Sequence, residues 1–252
     1  MAQTTQVTLD HILIRVDDLA SAVAEFESMG FKVYYGNAKK NCHHAMIYFQ
    51  NGTFLELVDP NKFPGLFRFL AKKGWLDALG IQFKRFAHYA KSQDRFLDFA
   101  VLSQDIQAFY QASEELKRSK LMDMKRKNHV GARVEWKLFA FEPMELPFIM
   151  SAYTPHRLPE PQADKHENGV LGIQQMAISV HDLPGYLSAW ETHFGLVPTA
   201  DQHLSLGPVK LTWSDQGKYR MKGITMHGST VATVNEDILA NYGIHFTEKI
   251  PG

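Results

Sequence analysis

The sequence predicts an α+β fold built from tandem β-α-β-β-β modules. Three observations predict it. An alternating apolar strand followed by an Asp-initiated amphipathic helix occurs within residues 8–30, and the same grammar returns at 96–116 and 172–195. Gly30 and Gly195 stop the first and third of these helices, where a left-handed residue commonly ends a helix. Short β-rich runs follow, separated by turn pairs such as Asn51-Gly52 and Gly207-Pro208, the signature of hairpins.

Composition sets the outer limits. A chain of 252 residues, 45% of them hydrophobic, buries a core and excludes wholesale disorder. Lys+Arg and Asp+Glu balance at 27 each. The expectation is therefore no nucleic-acid and no membrane partner, since both need a positive excess; local basic patches stay open. The single cysteine, Cys42, excludes an intrachain disulfide and fits a reducing compartment. Residues 1–6 are short and polar, and 8–16 is too short for a signal-peptide core. No apolar run approaches the roughly 20 residues of a membrane span. The expectation is a soluble, cytoplasmic protein.

In order along the chain, residues 8–16 form a strand, Asp18 caps a helix carrying Leu19, Val23 and Phe26, and 31–35, 45–49 and 53–58 are three further strands. Residues 60–93, rich in Phe, Trp, Leu and Lys, read as short amphipathic helices that pack on a sheet or cover a pocket. The second copy has a strand at 96–102, a helix from Asp105-Ile106, and strands at 133–141 and 147–153; its basic segment 117–131 reads as a loop. The third has a strand at 172–180, a helix started by Asp182-Leu183-Pro184, and a hairpin of 203–206 with 209–213. Residues 222–229 and 244–247 suggest a truncated fourth copy. The expected organisation is module 1 at 7–60, a helical insert at 61–94, module 2 at 95–155, a linker at 156–169, and module 3 with the truncated module 4 at 170–252.

The opening Asp10-His11-Ile12-Leu13-Ile14, the helix start Asp18-Leu19, the exit Met29-Gly30-Phe31 and the strand Phe54-Leu55-Glu56-Leu57 resemble the vicinal oxygen chelate superfamily, the glyoxalase, bleomycin-resistance and dioxygenase fold. Trp136-Lys137-Leu138, Leu146-Pro147-Phe148 and His166-Glu167-Asn168-Gly169 narrow the resemblance to glyoxalase-like domain proteins. The resemblance implies paired modules curled into half-open mixed β-sheet barrels. It also implies a divalent metal held by the first and last strands of each module and chelated by two adjacent substrate oxygens.

Carried onto this chain, the metal positions are His11 and Glu56 in module 1. An imidazole and a carboxylate suit Zn, Mn, Ni or Fe. In module 2, Asp98 stands where His11 stands and Met150 where Glu56 stands; in module 3 the places fall to Gln175 and Thr212. His11, Glu56 and Asp98 form the expected metal set. The alternative is a solvent-facing Glu56 with His11 as a hydrogen-bonded core residue.

In Cys42-His43-His44, alternation sends at most one histidine into a pocket; the resemblance favours His43, which is the candidate acid–base group. Cys42 reads as a plain thiol. Arg133, Glu135 and Lys137 alternate with Val134, Trp136 and Leu138. If that charged face meets a pocket, Arg133 and Lys137 hold an anionic substrate with Trp136 beside it, and Glu135 joins Glu56 and His43 as a catalytic candidate. A solvated sheet face is the alternative. Three functions follow from the resemblance: a metal-dependent lyase or isomerase on a small substrate with vicinal oxygens, ranked above a ring-cleaving dioxygenase; a metal-free protein that sequesters a drug or metabolite; and a mainly structural role with repeats paired across a homodimer.

Overall fold

The structure, a computed structural model, describes residues 7–37, 42–128, 130–155, 158–215, 217–228 and 234–247. The first module runs β1 (Val7–Arg15), α1 (Leu19–Ser28), β2 (Tyr34–Tyr35), β3 (His44–Tyr48) and β4 (Phe54–Val58). Two single 3-10 turns, Pro60–Lys62 and Asp77–Leu79, and the helices α2 (Gly65–Lys72) and α3 (Ile81–Lys91) form the insert. Then follow β5 (Phe96–Ser103), α4 (Ile106–Ala112), β6 (Met122–Lys127), β7 (Arg133–Ala140) and β8 (Phe148–Met150). The remainder is β9 (Val170–Val180), α5 (Leu183–Phe194), β10 (Leu204–Leu206), β11 (Val209–Asp215), β12 (Arg220–Gly228), α6 (Glu236–Asn241) and β13 (Ile244–Phe246).

One local device starts four of these helices. The side chains of Asp18, Asp105, Asp182 and Asn235 accept from the backbone N–H three residues on, in Ser21, Ala108, Gly185 and Ile238. Each such cap satisfies an N–H the helix leaves orphaned and contributes about 1 kcal/mol.

The strands form two curled mixed sheets, ordered β2-β3-β4-β1-β5-β8-β7-β6 and β10-β11-β9-β12-β13. In the large sheet β1 runs parallel to β4 and antiparallel to β5; in the small one β9 runs parallel to β11 and antiparallel to β12. β12, α6 and β13 thus repeat β5, α4 and β8 with the intervening hairpin missing. Ser229, at the end of the fourth expected run, lies outside the described residues.

Two expectations change. The 31–35 strand shrinks to β2, because the Phe31 N–H turns back to Phe26 O (3.1 Å) and the Lys32 N–H is donated to His166 Nδ1 (3.0 Å). The basic 117–131 segment contains β6. There Met122, Met124 and Arg126 point inward while Asp123, Lys125 and Lys127 are exposed on an edge strand, where charge blocks pairing with another chain.

Alternation divides the core. Ile12, Ile14, Leu55 and Leu57 pack against α1, α5 and the small sheet, including Phe26, Trp190, Ile173 and Met176. The other, concave face carries Leu13, Val58, Ala100, Leu138, Phe148 and Met150 under Tyr89 of α3. The insert therefore covers the concave face of the large sheet.

Candidate functional site

Beneath α3 the concave face leaves a cavity of about 400 Å³. Phe54, Phe148, Trp136 and Tyr153 line it from the sheet and beyond, Phe63 and Phe86 from the insert. Its polar groups include His11, Glu56, His43, His44 and Arg126.

His11 is aimed by a backbone irregularity. Between Leu9 and His11 the β1–β5 register shifts by one residue, so Asp10 is the extra residue of a bulge. A bulge breaks alternation and re-aims side chains. Buried Asp10 consequently reaches its own neighbour, Oδ2 lying 2.7 Å from His11 Nδ1. A carboxylate only accepts, so Nδ1 carries the proton and Nε2 turns toward Glu56 Oε2, 3.4 Å away. The His11 ring stacks on Phe54 at 4.4 Å and meets Phe148 edge-on at 5.5 Å. Two proton-transfer groups thus stand side by side on an apolar floor.

Asp98 occupies the place equivalent to His11, two residues from Ala100, which pairs with His11. Its carboxylate is already engaged. Arg85 Nη1 donates to both oxygens (2.8 and 2.7 Å), Arg85 Nη2 donates to Leu146 O (2.8 Å), and the Tyr89 hydroxyl makes a short bond to Asp98 Oδ2. Burial and the Asp98 charge hold the Tyr89 hydroxyl far above its ordinary pKa.

The counterpart of Glu56 is Phe148, not Met150. Glu56 pairs with Leu13, and Ala100, the counterpart of Leu13, pairs with Phe148. The sequence alignment slipped by one inward-facing position, because β8 is short and apolar throughout. In the small sheet Thr212 pairs with Ala177 as Glu56 pairs with Leu13, and Gln175 Nε2 donates to Thr212 Oγ1 at 3.1 Å.

The expected metal set of His11, Glu56 and Asp98 is therefore split. Among the described residues no three His, Cys, Asp or Glu side chains are placed to hold a metal ion. His11 and Glu56 supply two donors, the third place is consumed by Arg85 and Tyr89, and the fourth is a phenyl ring. The donor set does not fit a metal held by three protein side chains.

Both His43 and His44 line the cavity. The alternation argument fails because β3 begins only at His44, leaving His43 in the preceding loop. Their rings lie 4.6 Å apart, and His43 meets Phe63 edge-on at 5.3 Å. Burial pushes His44 down to about 4, against the pull of Glu56 and with help from His43 and Arg126. Burial also lowers His43, opposed by Glu56 and Asp59. Cys42 is buried, its thiol donating to His44 O at 2.8 Å.

Gly36 lies so close to His44 that a Cβ there would sit 1.8 Å from Nε2. Gly36→Ala is expected to cost about 1–3 kcal/mol through forced displacement of the ring. A urea midpoint equal to wild type would show that the ring is not held there.

Arg133, Glu135 and Lys137 do not reach this cavity. They line a larger, open recess of about 680 Å³ on the far side of β7. There Arg133 is paired with Glu135, and Lys137 Nζ lies 2.6 Å from Asp123. Trp136 faces inward and lines both recesses. We place the functional site in the smaller cavity, because its polar groups converge while those of the larger one compensate each other in solvent. Two cations line the smaller cavity instead, Lys125 and Arg126, and the inward-facing one is Arg126. It is half-buried, with Nη1 donating to Gly36 O (2.8 Å) and the guanidinium 6.0 Å from the Tyr153 ring centre. Burial, with Asp10 and Glu56 adding, holds the Tyr153 hydroxyl far above its ordinary pKa. The alternation of Met122, Met124 and Arg126 was the signal that could have found Arg126.

A family model described as a glyoxalase-like domain matches residues 9–194. A search of curated proteins finds no match. Among solved structures, a hypothetical protein from Staphylococcus aureus aligns with a TM-score of 0.66 at 16% identity, covering 88% of this chain and 91% of that one. The Mn(II)-bound glyoxalase from Novosphingobium aromaticivorans aligns with a TM-score of 0.51 at 10% identity, over 87% of this chain and 64% of that one. At these identities the likeness is one of fold.

Proposed function

The chain belongs to the glyoxalase-like domain family, within the vicinal oxygen chelate superfamily, and from that premise we propose that its cavity takes a small, largely apolar anion and moves a proton on it. This is lyase or isomerase chemistry. The observation that carries it is the line Asp10–His11–Glu56 ending in the cavity. Glu56 is suited to take a proton from a carbon next to a carbonyl and pass it to His11 Nε2, 3.4 Å away, which then returns it at the neighbouring position. Asp10 behind Nδ1 stabilises the imidazolium formed in between. Arg126 holds the substrate's anionic group, the role the sequence assigned to Arg133 or Lys137. The aromatic walls take the apolar body and exclude water.

Of the expected metal set only His11 and Glu56 line the cavity, and among the described residues no three His, Cys, Asp or Glu side chains are placed to hold an ion, so no step is assigned to a metal. The same gap argues against a ring-cleaving dioxygenase. The aromatic lining favours a second reading, a binding protein that sequesters such an anion without turnover.

The test is a thermal-shift and calorimetric panel of aromatic and aliphatic carboxylates beside their neutral amides, with chelator or with added Mn(II). Hits are then followed by NMR for exchange of their acidic C–H with deuterated solvent. We expect anions to bind in chelator, Arg126→Met to weaken them, and Glu56→Gln to keep binding while slowing exchange by roughly 10²–10⁴. Binding without exchange would favour sequestration. Binding lost in chelator and restored by Mn(II) would sink the metal-independent reading.

A further inference from the structure

The insert that roofs the cavity has an outer surface unlike the rest of the chain. Of the seven large apolar side chains exposed among the described residues, five belong to it: Leu66, Phe69, Trp75, Leu79 and Phe83. Leu66 is 71% exposed, Trp75 62% and Leu79 61%. The Phe69 and Trp75 rings meet edge-to-face at 6.2 Å, forming an aromatic ridge that stays exposed among the described residues. Scattered single exposures need no explanation, but a clustered set marks an interaction site.

Charge identifies the partner. The insert, residues 61–94, carries seven Lys or Arg and two carboxylates, Asp77 and Asp94, although the whole chain carries 27 of each. Asp77 is itself paired with Lys91 at 3.6 Å. Arg85 is buried against Asp98, whereas Lys62, Lys72, Lys73 and Lys84 are exposed. Lys73 Nζ lies 5.9 Å from the Phe69 ring centre, so cation and aromatic occupy the same spot.

We propose that this face docks on an anionic lipid surface. Large aromatic and aliphatic side chains ringed by lysines match a bilayer, which offers hydrocarbon below and negative headgroups above. A second copy of the chain fits badly, because a twofold interface would set this basic surface against itself. The zero net charge that argued against a membrane partner conceals the asymmetry, since all but two of the carboxylates lie outside the insert. The inference does not depend on what the cavity binds.

The test uses the full chain with phosphatidylcholine vesicles, with and without phosphatidylserine, at low and high salt. Co-sedimentation is expected only with phosphatidylserine and is expected to weaken at high salt. Lys72→Glu/Lys73→Glu and Phe69→Ser/Trp75→Ser are each expected to weaken binding at least roughly tenfold. Their circular dichroism should match wild type, because these side chains are solvent-exposed. Absence of binding, or equal binding to neutral vesicles, would overturn the proposal. So would concentration-dependent dimerisation abolished by Phe69→Ser/Trp75→Ser, which would assign the face to a second copy.

Discussion

Arg85→Ala is expected to lower the stability of the folded protein by about 3–5 kcal/mol, the loss typical of a buried ion pair deprived of one partner. Arg85 has no exposed side-chain surface, and Asp98 nearly none. Removing the guanidinium strands the Asp98 carboxylate in the core and leaves Leu146 O without its donor. It also cuts one tie between α3 and β5, leaving the Tyr89 bond to Asp98. Asp98→Ala is expected to do comparable damage from the other side, leaving Arg85 charged and buried. The double variant Arg85→Met/Asp98→Leu removes both charges and keeps the volume, so it should recover much of either loss. Urea midpoints of the three variants decide the matter. Losses that add in the double variant would show that the two side chains do not depend on each other, and the account of Asp98 as a fastening would fall. If Asp98 served a metal instead, its replacement would change metal retention and leave the urea midpoint near that of wild type.

Much of this was legible in the residues, for local reasons. The capping aspartates at 18, 105 and 182 marked the helix starts because the cap is written in adjacent positions. His11 and Glu56 marked the floor of the cavity because the resemblance places both of those positions on the first and last strands of a module. What stayed hidden depended on neighbours far along the chain. Asp98 was placed at the position equivalent to His11, but its partner Arg85 comes from the insert, whose packing no period in the sequence encodes. Asp10 was read only as part of the opening motif, because the bulge that turns it onto His11 leaves no mark in the local pattern. Arg126 was hidden by its basic neighbours: Lys125-Arg126-Lys127 looks like a solvated run until the strand turns every second residue inward. Phe148 and Met150 were interchangeable by eye, since nothing polar in β8 fixes its register.

Acid is expected to destabilise the protein well before its carboxylates titrate. Burial pushes both His44 and His166 down to about 4. His166 gives an independent structural reason. Its Nδ1 accepts from the Lys32 N–H (3.0 Å) and its Nε2 donates to Tyr48 O (2.8 Å). Only the neutral ring can do both, so protonation must break the Lys32 bond and free the strand leading into β2. His44 faces Glu56, which favours its cation, and His43 and Arg126, which oppose it; burial outweighs the balance. In the unfolded chain both histidines take up a proton near their ordinary pKa of about 6.5. A folded pKa below the unfolded one means that stability is complete above that value. It is lost as pH falls toward the folded pKa, because the unfolded state binds more protons. Each histidine should cost about 2 kcal/mol between pH 7 and pH 5, a window in which most Asp and Glu remain ionised. Urea midpoints at the two pH values test this in wild type, His44→Gln and His166→Gln. The variants should start less stable at pH 7, and each should fall less steeply toward pH 5. A wild-type midpoint that holds level across the window would mean that neither ring is kept neutral by the fold. His44 would then stand in the cavity as a charged group beside Glu56, and the charge balance assigned to the site would have to be reversed.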